Sequence, residues 1–72
     1  MKYKVIELAS NKEVKVGMNL LDFRKTIWKY EGMEYAGPPS TGRLWVRPAD
    51  GGAQRAFYPS VFECKIVEAE ND

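Results

Sequence analysis

The chain has 72 residues and a mass of 8.2 kDa, which is room for one small domain. At 44% hydrophobic and 29% charged it has the composition of a soluble globular protein and not of a disordered one. A single cysteine, Cys64, excludes an intrachain disulfide, and the lack of any histidine removes the usual zinc ligands.

Stability must therefore come from the core. A domain of this length buries only about 60% of its unfolded surface, so its margin is a few kcal/mol. Two Trp, four Tyr and three Phe can supply that core, because each aromatic buries a large area. The net charge of +1 hides an asymmetry. Residues 1–62 carry ten Lys and Arg against six acids, a net of +4, and residues 63–72 carry one Lys against four acids, a net of −3. A dedicated duplex-DNA binder is usually far more basic. The start, Met1-Lys-Tyr-Lys-Val-Ile-Glu, lacks the apolar stretch of a signal peptide, and no run reaches membrane-spanning length. With one unpaired thiol, a cytoplasmic location is expected.

Taken in chain order, residues 2–8 read as a strand through Tyr3, Val5, Ile6 and Leu8. Residues 9–12 are a turn. Residues 13–18 alternate, which predicts a half-buried strand with Val14, Val16 and Met18 inward. Residues 19–31 admit two readings. As a helix, Asn19 is the N-cap, Gly32 the terminator, and Leu20, Phe23, Ile27 and Tyr30 form one stripe, which implies a β-grasp, ubiquitin-like α+β fold. As strands, residues 22–25 are a hairpin connection and Thr26, Trp28 and Tyr30 share a face, with Trp28 and Tyr30 inside. Gly37-Pro38-Pro39-Ser40-Thr41-Gly42 is a loop. Residues 43–47 form a strand with Leu44 and Val46 inward. Asp50-Gly51-Gly52 turns the chain, and residues 53–58 return as a strand. Residues 59–62 form a 3₁₀ turn, residues 63–67 a closing strand, and residues 68–72 an acidic flexible tail, which leaves residues 1–67 as the single domain.

The stretch Ala56-Phe-Tyr-Pro-Ser-Val-Phe-Glu-Cys-Lys-Ile-Val67 resembles the end of an SH3-type barrel, where a strand meets a Pro-Ser turn and then a short closing strand. Asp22-Phe-Arg24, Gly42-Arg-Leu-Trp-Val-Arg47 and Phe57-Tyr-Pro-Ser-Val-Phe62 also resemble small proteins of bacteriophages and prophages, over residues 17–67. The resemblance implies an all-β, SH3-like barrel of about five strands, and so favours strand over helix at residues 23–31. For a phage-encoded chain it implies an accessory role on a host protein, in the host cytoplasm. The acidic loop and paired surface aromatics of signalling SH3 domains are missing, so Pro-rich peptide binding is not implied.

Little in the sequence favours catalysis. Without histidine there is no Ser-His or Cys-His pair, and no phosphate-binding glycine pattern is present. Cys64, among Phe62, Ile66 and Val67, reads as a buried, inert thiol. No cofactor, metal or small-molecule substrate is expected, and a barrel this small leaves little room for a deep cleft.

A binding surface is the stronger expectation. If Leu44 and Val46 face inward, Arg43, Trp45 and Arg47 face outward together. The neighbouring strand adds either Arg55 and Phe57 or Gln54 and Tyr58. The expected partner-binding set is Arg43, Trp45, Arg47, Arg55 and Tyr58. The opposing reading puts Trp45 in the core. A host protein is the favoured partner and a nucleic acid the rival, which a basic and aromatic barrel face also suits. A structural piece of a larger assembly is a third possibility.

Overall fold

Alternation of apolar and polar side chains sets most strands of this chain, and turns set their ends. A computed structural model describes residues 2–34 and 42–69, so the proline-rich loop, but for Gly42, and residues 70–72 lie outside the described residues. The strands are β1 (Lys2–Glu7), β2 (Glu13–Val14), β3 (Asn19–Leu21), β4 (Ile27–Glu34), β5 (Arg43–Pro48), β6 (Arg55–Phe57) and β7 (Cys64–Ala69), with a 3₁₀ turn at Pro59–Phe62. The described residues hold no α-helix. The fold is all-β, as expected, with seven strands among the described residues in place of about five, three of them only two or three residues long.

Two antiparallel sheets enclose one core. The first has the order β2-β1-β7 and the second is the meander β3-β4-β5-β6. Strand β7 pairs with β1 from Lys2↔Ala69 to Glu7↔Cys64, so the two ends of the domain close on each other. The closing strand thus runs two residues beyond expectation, and Glu68 and Ala69 belong to the sheet and not to a tail. This closure, with a 3₁₀ turn just before the last strand, gives a small barrel-like arrangement.

Val5, Val14, Cys64 and Ile66 from the first sheet meet Leu20, Trp28, Tyr30, Leu44 and Val46 from the second, with Phe62 from the 3₁₀ turn. Leu44 and Val46 are fully buried. Burying one such side chain contributes about 2 kcal/mol. Phe57 joins the aromatics edge-on, 5.1 Å from the Trp28 ring centre and 6.0 Å from that of Phe62.

The helix reading of residues 19–31 fails on burial as well as on backbone. Its stripe needs Phe23 and Ile27 inside, but they are 76% and 46% exposed. Asp22 holds the β3–β4 turn in its place. One carboxylate oxygen accepts from the Arg24 and Thr26 amides, and the other accepts from the Trp28 indole N–H at 3.0 Å. Lys25 takes a left-handed conformation to close the turn.

The strand expected at residues 13–18 stops at Val14. A tight turn follows, closed by the Met18 amide on the Lys15 carbonyl, with Gly17 at φ 98°. The turn carries Val16 and Met18 out to solvent, so only Val14 of the three is core.

Candidate binding surface

Directly paired residues of a sheet project from the same face. In β5, Leu44 and Val46 point inward, which leaves Arg43, Trp45 and Arg47 on the outer face. The register from β4 places Glu34 opposite Arg43, Gly32 opposite Trp45 and Lys29 opposite Arg47. From β6 it places Ala56 opposite Trp45. Trp45 is half-buried, neither fully exposed nor core. Its two cross-strand neighbours bring no side chain and one methyl, so no bulky group stands directly across from the indole.

The register excludes Arg55 from this face. Arg55 pairs with Val46 and Phe57 with Leu44, so both belong to the inner side of the sheet. Arg55 reaches solvent there because β6 is the edge strand. The alternate residues Gln54, Ala56 and Tyr58 take the outer side. Tyr58 is 56% exposed, and continuing the register sets it opposite Arg43. Four of the five expected residues therefore share one face.

Sequence reasoning missed Glu31 and named Gln54 only as one of two alternatives on the neighbouring strand. The β4–β5 register shifts between Tyr30 and Gly32, so Glu31 sits in a β-bulge. Gly32 takes φ 149°, a conformation side chains rarely adopt. The bulge reverses the alternation, bringing Met33 inward and Gly32 outward beneath Trp45. A Glu-Gly pair after a clean alternation was the available signal. Glu31 receives Arg47 Nε at 3.2 Å and Gln54 Nε2 at 2.7 Å. Arg47 also donates to the Gly52 carbonyl at 2.8 Å. Arg47 thus braces the β5–β6 turn against β4, and its hydrogen bond holds the Glu31 carboxyl below its usual range, with Gln54 adding to the effect.

Also missed was a cleft. An open groove of about 670 Å³ runs between residues 19–23 and residues 60–63. Its walls include Leu20, Phe62 and the acidic residues Glu7, Asp22 and Glu63. Cys64 lies close by, 3% exposed, and its thiol donates weakly to the Phe62 carbonyl. Burial first, then the charges of Glu7 and Glu63, push that thiol up to about 11.

Among the described residues no three His, Cys, Asp or Glu side chains are grouped to hold a metal ion, and no helix is long and apolar enough to cross a membrane. Comparison with known proteins finds no matching family model, curated protein or solved structure.

Proposed function

We propose that this protein is a non-enzymatic binding module whose contact face is the outer side of the four-stranded sheet, and that its partner is a protein. The observation that carries this reading is the charge balance around Trp45. Lys29, Arg43 and Arg47 are offset by Glu31 and Glu34, which leaves a net of +1. Arg47 is already engaged by Glu31, and Arg55 lies on the other side of the sheet. Phosphate recognition draws its affinity from several uncompensated cations releasing counterions. This face has few. It offers instead an indole between small neighbours, an exposed tyrosine and one flanking arginine, which is the usual make-up of a protein hot spot. In the phage setting that the resemblance implies, the partner is a host protein and the site of action the host cytoplasm.

The test is binding to the captured partner as a function of salt. A protein partner gives a shallow slope, with Trp45→Ala weakening binding about thirtyfold, the effect of a hot spot of about 2 kcal/mol. A steep slope that flattens with Arg43→Ala would favour the nucleic-acid reading.

A further inference from the structure

The backbone of β3 leaves one edge open. In an antiparallel ladder, alternate residues direct both N–H and C=O at the partner strand. Tyr30 N bonds Met18 O and Asp22 N bonds Thr26 O, so positions 18, 20 and 22 carry the bonds to β4. Asn19 and Leu21 therefore turn their N–H and C=O groups the other way. Strand β3 ends its sheet, so among the described residues no further strand meets them. The groove of about 670 Å³ runs along this side, with residues 19–23 as one wall and residues 60–63 facing them. An open edge beside a cleft is the geometry by which extended peptides add a strand.

The groove also has a sign. Glu7, Asp22 and Glu63 line it against Lys25 alone, a net of −2. The Cys64 thiol beside it is raised first by burial and then by the charges of Glu7 and Glu63. A second copy of this chain would bring the same carboxylates into the groove, which disfavours self-pairing. Leu21, Phe23 and Val61 supply apolar contact within the groove.

We infer that the open edge of β3 takes an extended, cationic segment of a partner protein as an added strand, seated in the groove beside Glu7, Asp22 and Glu63. This site is separate from the Trp45 face.

The experiment titrates the isotope-labelled protein with a short, end-capped peptide of alternating lysine and valine and follows amide hydrogen exchange. Exchange at Asn19 and Leu21 should slow about tenfold or more on saturation, as those groups become paired. Leu21→Pro removes one outward N–H without touching the β4 ladder, and Glu7→Gln with Glu63→Gln removes two charges. Each change should weaken the peptide about tenfold, whereas Trp45→Ala should leave its binding unaltered. Because the charge variant keeps every backbone group, it still decides the matter if Leu21→Pro unfolds. Unprotected Asn19 and Leu21 amides, equal binding of a glutamate–valine peptide, or protection that appears with protein concentration alone would each overturn the inference.

Discussion

Glu31 Oε2 lies 3.2 Å from Arg47 Nε, joining the bulge of β4 to the strand that carries Trp45. Arg47 continues to the Gly52 carbonyl and Gln54 comes back to Glu31, so the bulge, β5 and the β5–β6 turn hold one another. An arginine that the sequence offers as a ligand contact is a brace for the surface around it.

This brace has a pH signature. Hydrogen bonding, first from Arg47 and then from Gln54, holds the Glu31 carboxyl below its ordinary 4.5. A depressed folded value stabilises the fold above the unfolded value, and that stability is lost as pH falls through the folded one. Thermal unfolding should show the midpoint falling below about pH 4.5. Asp22, held low chiefly by the Trp28 indole, contributes in the same direction. Glu31→Gln should give a lower midpoint at neutral pH and a shallower acid decline. Superimposable pH profiles would show that the brace does not contribute.

Gly32 stands at φ 149° with open space where a side chain would go. Gly32→Ala should therefore act through backbone strain alone and cost about 1 kcal/mol or more, read from denaturant unfolding. No loss of stability would mean that the bulge adopts an ordinary conformation.

Cys64 should be inert in the native state. With its thiol pushed up to about 11, it should react with a disulfide reagent only through unfolding, and more slowly than free cysteine. A raised folded value stabilises the fold below the unfolded value of 9.0, and that share is lost as pH rises towards about 11. Cys64→Ala should cost about 1 kcal/mol at neutral pH and remove that alkaline loss. Native-state reaction at the rate of a free thiol would contradict the buried placement.

Where alternation was unbroken, the sequence was readable. Leu44 and Val46 inward, Trp28 and Tyr30 inward, the Gly51-Gly52 turn and the Pro59–Phe62 3₁₀ turn all follow from local pattern and turn chemistry. What escaped depended on pairing between distant segments. The face taken by Arg55 is set by its register with Val46, which the length of the β5–β6 turn leaves open by one residue. Val16 and Met18 alternate perfectly, yet a four-residue turn overrides that pattern. The groove depends on how residues 19–23 come to face residues 60–63, far away in the sequence, and no short motif records it.

Leu44 and Trp45, adjacent in one strand and on opposite faces, separate folding from binding, and they give the most direct test of the account. The measurement is quantitative capture of a partner from nuclease-treated cell lysate by wild type, Trp45→Ala and Leu44→Ala, with circular dichroism on each. Leu44→Ala opens a cavity in the middle of the core and should cost about 3 kcal/mol, enough to unfold much of so small a domain. Trp45→Ala should stay folded and lose a nuclease-resistant protein that wild type retains. If Trp45→Ala stays folded and captures the same protein undiminished, or if nuclease abolishes capture by wild type, the outer face of the sheet is not the protein-binding surface argued for it.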